Sequence, residues 1–324
     1  MKGENLGKQD ILAKGYLSQN NIFADAFNYL IYDGEPIIVP EELRELDPTE
    51  ASMIEEKSTV FTNQKIRDIL KSCTIKHGRH TTMVLLGIEN QAAVHYAMPV
   101  RNFLYDALNY NAQVRDVRKR HRKKTDLKKG AELLSGYTKE DHLTPIITLC
   151  VCFSKEKWDA PRSLYDMFGS IDPQIRKFVN NYSLNLITPS EIEDFSKFSS
   201  ELGIVLEFIH YSEDREKIRD IINSNERYRH VDNSSIDMIN AFTDANISKA
   251  EAEGGQVNMC TAIKELIEEG REEGREEGQA MLADLILKLT PGTEDYMKAL
   301  QGTSAEREKL YRKYGIVRPD GYNT

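Results

Sequence analysis

Apolar residues in this chain follow two periods, and the changes between them mark out its elements. At 21–32, NIFADAFNYLIY, the residues Ile22, Phe23, Ala26, Phe27 and Leu30 recur every three or four positions. That spacing, behind an Asn able to cap, predicts an amphipathic helix, and Asp33-Gly34 ends it. Residues 1–20 are polar and predict at most a loose helix. Residues 35–60 carry Pro36, Pro40 and Pro48 among many acids. They predict a connector in which IIVP is a short extended piece and 49–56 a short helix.

The period then shortens. KIRDILK at 65–71 predicts a short strand, and TTMVLLGIENQ at 81–91 a stronger one. The run from Met83 to Ile88 is continuously apolar or small, the mark of a strand covered on both faces. The intervening SCTIKHGRH contains a Gly turn, so the two strands can pair as a hairpin. Pro99 suits the first turn of a helix. Behind it Val100, Phe103, Leu104, Ala107, Leu108, Ala112 and Val114 form an apolar stripe of the kind a helix turns toward a core. LTPIITLCVCF at 143–153 predicts a central strand, 154–182 is irregular, and SLNLI at 183–187 is a last short strand.

From Pro189 onward the pattern is helical, over 191–211, 214–225, 234–245 and a long polar stretch at 251–289. LADLILKL at 282–289 is apolar enough to pack on something, and a smaller helical pattern follows at 296–314. This order predicts an α/β fold, a mixed sheet flanked by helices with an α-helical C-terminal region. The expected division is a core at 1–190, a helical extension at 191–250 and a long helix with its tail at 251–324.

Composition adds the electrostatic side. The 324 residues carry 43 Lys and Arg against 52 Asp and Glu, a net charge of −9. Taken as an average, that charge argues against nucleic acid. Its distribution does not. Residues 115–129 hold nine Lys/Arg and two Asp, a local +7, whereas 264–278, with its EEGREEGREEG, is −4. A +7 segment can neutralise several phosphates, or its cations can simply complement a helix C-terminus. No apolar run approaches the roughly 20 residues of a spanning helix. The polar N-terminus lacks the apolar stretch of a signal peptide. The expected location is the cytoplasm, away from membranes. Cys73, Cys150, Cys152 and Cys260 do not form a metal-ligand spacing. They are expected to be free thiols, with Cys150 and Cys152 on one strand face.

Three residues carry candidate chemistry: Asp68 in the first strand, and Glu89 and Gln91 at the end of the second. Glu89 and Gln91 are two apart, so on a strand they share a face. If the strands pair, Asp68 lies beside Glu89. A carboxylate at the end of a buried strand needs compensation, and a divalent cation held by two carboxylates, waters and phosphate oxygens would supply it. The same spacing also fits an acidic strand end facing solvent or paired with Arg67 or Arg101.

The segments FADAFNYLIYDGE, RDIL, VLLGIENQ, HYAMPVRNFLYDALNY and LTPIITLCV together resemble the Rpn family of recombination-promoting nucleases and transposases, within the PD-(D/E)xK nuclease superfamily. The tandem EEGREEGREEG is also similar to that family's tails. The resemblance spans roughly 15–290 and implies a restriction-endonuclease-like core and Mg²⁺- or Mn²⁺-dependent cleavage of DNA. It implies Asp68 and Glu89 as catalytic metal ligands, and Gln91 in the position of the superfamily's lysine. Asp25 is the candidate for a further acidic ligand, or a plain surface acid. Arg101 and Tyr105, one helical turn apart, can reach the site or the DNA backbone, or form a salt bridge and a half-buried tyrosine. Arg101, Arg115, Arg118, Lys119, Arg120, Arg122, Lys123 and Lys124 are the candidate DNA contacts. The alternative is a DNA-binding or assembly protein on a nuclease fold that does not cleave. The C-terminal helix is a candidate for homo-oligomer formation.

Overall fold

A computed structural model describes residues 2–46, 68–249 and 254–316. The helix expected at 49–56 and the start of the strand expected at 65–71 lie outside them. Two compact units divide the chain, 1–257 and 258–324.

The first unit is built on a sheet of five strands: β1 (Arg44–Glu45), β2 (Ile69–His77), β3 (His80–Gln91), β4 (Ile146–Cys152) and β5 (Asn185–Ile187), hydrogen-bonded in that order. The first three are antiparallel to one another and the last three parallel. A two-stranded ribbon, β6 (Val231–Asp232) with β7 (Gln256–Val257), stands apart. The helices of this unit are α1 (Lys2–Leu17), α2 (Asn20–Tyr32), α3 (Met98–Lys124), α4 (Gly130–Ser135), α5 (Leu164–Met167), α6 (Pro173–Arg176), α7 (Leu202–Tyr211), α8 (Arg215–Ser224) and α9 (Asn233–Phe242). The second unit holds α10 (Met259–Lys288), α11 (Glu294–Gln301) and α12 (Ser304–Tyr314).

The hairpin is longer than its apolar pattern suggests. SCTIKH is strand, not connector, and pairing runs out to His77 opposite His80. Only Gly78 and Arg79 turn. Gly78 has φ of 60° at the first turn position, the role glycine fills in a type II′ turn, whose twist matches the strands. β3 is buried continuously from Val84 to Asn90 because helices cover both faces. On one face, the buried Lys71 of β2 donates from Nζ to Ser18 O and Asn20 Oδ1, both at 2.5 Å, and lies over the Phe23 ring. That strut ties the α1–α2 corner to the sheet. On the other, Met98 of α3 packs on Cys150 and Cys152 of β4 with Trp158 and Ala160. β3, α3 and β4 thus form a crossover between parallel strands, the connection that such a pair requires.

IIVP, expected to be extended, instead bends at Ile38 and opens a 3₁₀ turn at Pro40, and a side chain holds it: Asn28 Nδ2 donates to Ile38 O, and Ile38 N–H to Asn28 Oδ1. The helix expected from 191 begins only at Leu202. Residues 189–197 form 3₁₀ turns, one of them capped by Asp194, which accepts from Ser196 N–H. These turns bury Phe195 and Phe198, and Gly203 gives Phe198 room, since a Cβ there would stand 2.7 Å from Phe198 Cβ. The unit shows no break near 190, because α7 packs on α2 and α9 on α1. In the second unit, Leu285 and Leu289 pack with Ala299 and Leu310, so LADLILKL covers a small core of its own.

The largest departure from the sequence pattern is α3. Its buried residues are Met98, Pro99, Asn102, Tyr105, Asp106, Asn109, Ala112 and Val117. Val100, Phe103 and Leu104, expected to face the core, are exposed. Polar partners explain the choice: Thr148 Oγ1 donates to Asp106 Oδ1 at 2.5 Å and Tyr182 Oη to Asp106 Oδ2 at 2.6 Å. Turned the other way, the helix would leave those groups buried without each other.

Candidate active site

The β2–β3 register, with Ile69 opposite Ile88, carries Asp68 to a position opposite Glu89. Facing residues of an antiparallel pair share a sheet face. Asp68 N–H donates to Glu89 Oε1, and Asn90 N–H donates to Asp68 Oδ2, both at 3.3 Å. Both acids are buried, Glu89 completely. Gln91 lies two residues on, half-buried, and its Nε2 donates to Asn90 O at 2.6 Å. The sequence-predicted catalytic set is thus brought to one strand end.

Two further groups complete the site. The Arg101 guanidinium, from the first turn of α3, lies 3.1 Å from Glu89 Oε2, and its Nε donates to Tyr105 Oη at 2.8 Å. Arg101 is therefore a counter-ion inside the site, with its side chain still partly exposed. Of the readings open for Arg101 and Tyr105, Arg101 reaches the site and does so through a salt bridge, while Tyr105 is buried rather than half-buried. The second group is Asp10 of α1, which sequence reasoning missed. Asn90 Nδ2 donates to Asp10 Oδ1 at 2.9 Å. No local spacing links Asp10 to residues eighty positions away, so no signal in the sequence pointed to it.

Burial is the main reason the Asp68 carboxyl titrates above its ordinary 3.8. Asp10 pushes it the same way, while Arg101, the Asn90 N–H and Lys14 pull it down without prevailing. Burial also works against charge on Arg101, but Glu89 and the Tyr105 hydroxyl outweigh it, and its pKa is raised. Among the described residues, the guanidinium stands at Glu89 rather than at Asp68.

Asp25 is placed elsewhere. It is buried in α2, where its Oδ1 accepts from Ser199 N–H and Oγ and its Oδ2 from Ser200 N–H and Oγ, at 2.5 to 2.9 Å. It is neither a surface acid nor a partner of Asp68 and Glu89. Its four bonds fasten α2 to the turn ahead of α7, which corrects its assignment as a metal ligand.

Among the described residues, no three His, Cys, Asp or Glu side chains form a ready cage for a metal ion. The donor set that fits is smaller. Asp68 and Glu89 supply two hard carboxylate ligands side by side, and Mg²⁺ accepts that pattern when water and phosphate oxygens fill the remaining positions. The desolvated Asp68 is the group such an ion would relieve.

The basic end of α3 is mostly free for solvent. Lys119, Arg120, Arg122, Lys123 and Lys124 are exposed, and Arg115 is half-buried. Arg118 is exposed but turned back, its Nε donating to Ser135 O at 2.6 Å while its stem packs on Gly136. His121 within this run bridges Asp126, 2.7 Å from Nδ1, and Asp141, 2.8 Å from Nε2. Those two bonds raise its pKa and pin both ends of 126–141 to the helix. Cys73, Cys150 and Cys152 are buried free thiols and Cys260 is half-exposed. Cys150 and Cys152 face the Met98 side together, and burial pushes the Cys152 thiol up to about 11.

Compared with protein-family models, curated proteins and solved structures, the chain matches none. Among the described residues, no helix is long and apolar enough to cross a membrane.

Proposed function

We propose that this protein is a divalent-metal-dependent DNA endonuclease on a restriction-endonuclease-like core, as its resemblance to the Rpn family of recombination-promoting nucleases implies. The observation that carries this reading is the placement of Asp68 and Glu89 side by side on one sheet face, both buried, with the Arg101 guanidinium at Glu89. Bound Mg²⁺ or Mn²⁺ would activate water and offset the charge that builds on a phosphodiester under attack. Asp68 and Glu89 would hold the ion. Gln91, on the same face, would orient the attacking water or the scissile phosphate. Its amide is neutral, so it cannot supply the charge of a lysine. Arg101 can: it is fixed by Glu89 and Tyr105 and stays protonated at any working pH. Lys119, Arg120, Arg122, Lys123 and Lys124 would follow backbone phosphates.

The test is nicking of supercoiled plasmid with Mg²⁺ or Mn²⁺, comparing the natural protein with Asp68→Asn. Metal-dependent nicking lost in the variant is the expected result. No nicking with any metal, or equal nicking by both proteins, would sink the assignment. DNA affinity should fall as salt rises, and each exposed cation of α3 replaced by Ala should lower the log–log slope by about 0.9 if it meets a phosphate.

One observation favours a second reading. Arg101 already neutralises Glu89 without a metal, as in a protein that binds DNA and assembles on it without cutting. Salt-dependent binding with no turnover under any metal would single this reading out.

A further inference from the structure

Between α3 and β4 the chain runs through 126–142 without burying a single residue. The short helix α4 in this stretch leaves Leu133 64% and Leu134 89% exposed, so apolar packing contributes little to holding it. A surface segment of this kind opens at low cost unless polar contacts fasten it. Near its middle, Arg118 Nε of α3 donates to Ser135 O at 2.6 Å. At its two ends, Asp126 Oδ1 lies 2.7 Å from His121 Nδ1 and Asp141 Oδ2 lies 2.8 Å from His121 Nε2. One imidazole on α3 therefore closes both ends of the strap 126–141.

Chemistry fixes the charge of that imidazole. An ionised carboxylate only accepts, and a neutral imidazole has one donor and one acceptor nitrogen. Both acids are ionised near neutrality. The bond from His121 holds Asp126 below the ordinary 3.8, and the Thr138 N–H, ahead of His121, holds Asp141 at about 2. Two carboxylates on two ring nitrogens thus require both nitrogens to donate, and the closed strap requires imidazolium. A neutral ring keeps one bond and turns a lone pair toward the other carboxylate, which it repels. The remaining groups around the ring do not titrate in the same range. Arg118 and Arg122 of α3 line a cavity of about 340 Å³ with it and stay charged. Lys124, which acts on Asp126, titrates near 10 as lysines do. The end of α4 presents only Leu133, Leu134 and Ser135.

We propose that 126–141 is a pH-operated strap on the basic end of α3, latched at both ends by doubly protonated His121 and released at one end when the ring loses a proton. The direction follows from linkage. The bonds to Asp126 and Asp141 raise the pKa of His121 from its ordinary 6.5. The latch is therefore complete below 6.5 and is lost as pH rises through the raised value. Release removes one positive charge from the basic end of α3 and leaves a carboxylate uncompensated beside its exposed cations. The latch needs neither metal nor DNA, so it operates whether or not the protein cleaves.

The experiment is limited tryptic cleavage of the full chain between about pH 6 and 9, a window that brackets and extends above the ordinary histidine value. The strap carries Lys128, Lys129 and Lys139. Their cleavage rate is divided at each pH by that of a synthetic peptide of the same residues, so that the protease's own pH dependence cancels. Cleavage follows the open population when reclosing is fast. Losing one charge-assisted bond should therefore raise the ratio about tenfold across the window. His121→Gln should start high and stay flat. His121→Arg, which keeps its charge throughout, should stay low and flat. Circular dichroism melts check that both variants fold, and an NMR titration of the ring should place His121 above 6.5. A ratio that does not rise in the natural protein overturns the proposal. So does a rise of equal size in either variant, or a ring that titrates at or below 6.5.

Discussion

The turn around Asp25 and the strand end around Asp68 and Glu89 both bury carboxylates, and they treat them in opposite ways. At Asp25 every oxygen is answered: two backbone N–H groups and two hydroxyls surround it. At the strand end two acids lie together, with the Arg101 guanidinium at Glu89 and, among the described residues, backbone bonds of 3.3 Å between the two strands, and a third carboxylate, Asp10, stands close enough to raise the pKa of Asp68. The first arrangement is complete and does structural work only. At the second, burial holds the Asp68 carboxyl above its ordinary pKa, and a carboxylate in that condition can gain from binding a cation. Burial of an acid therefore says little about its role until its donors are counted.

The sharpest way to break this contrast is activity. Asp68→Asn or Glu89→Gln should lower metal-dependent plasmid cleavage about 10³-fold per folded molecule. Asp25→Asn should leave the rate per folded molecule close to the natural value. If Asp25→Asn abolished cleavage in folded protein, the separation of the two regions would fail.

Stability should run the other way. Asp25→Ala strips four donors of their acceptor and should cost about 3 kcal/mol in urea unfolding. A loss under 1 kcal/mol would mean that water replaces the carboxylate freely. Arg101→Met should cost about 2 kcal/mol, less than a fully buried pair because the guanidinium is a third exposed. Adding Glu89→Gln should return most of that loss, and a double-mutant cycle measures the coupling.

The smallest expected effect concerns Asp68 itself. Its pKa is raised, so its charge opposes folding at neutral pH, and that burden disappears as pH falls below the ordinary 3.8. Asp68→Asn should therefore stabilise the protein at pH 7, with the gain shrinking toward zero under acid. Mg²⁺ should raise the melting temperature of the natural protein and not that of the variant. A variant less stable at pH 7 would mean that Asp68 is satisfied as Asp25 is, and the contrast would collapse.

Several of these features were legible in the residue order. The run MVLLGI marked a strand buried on both faces, and β3 is buried so from Val84 on, with Met83 exposed. Period-two spacing put Glu89 and Gln91 on one face, and the Gly78 turn made a hairpin able to bring Asp68 across. These are short-range relations, fixed within some twenty residues by steric and hydrogen-bond rules. The stripe of α3 was legible only as a stripe. Periodicity tells which residues share a face, but not which face points inward, and here Asp106, Thr148 and Tyr182 decided it against the apolar side. Asp25 looked like an active-site acid, and only Ser199 and Ser200, some 175 residues on, show what it does.

By itself the sequence determined the buried strands β3 and β4, the helices α2 and α3, the local charge of the basic helix end and the candidate pair Asp68 and Glu89. The tertiary structure alone decided that Asp10 and Arg101 join that pair, that Asp25 does not, and that α3 turns its apolar side outward. The physical reason is range. Local pattern follows from backbone geometry, whereas the environment of a charge depends on whichever groups folding brings within a few ångströms, and their separation along the chain carries no record of it.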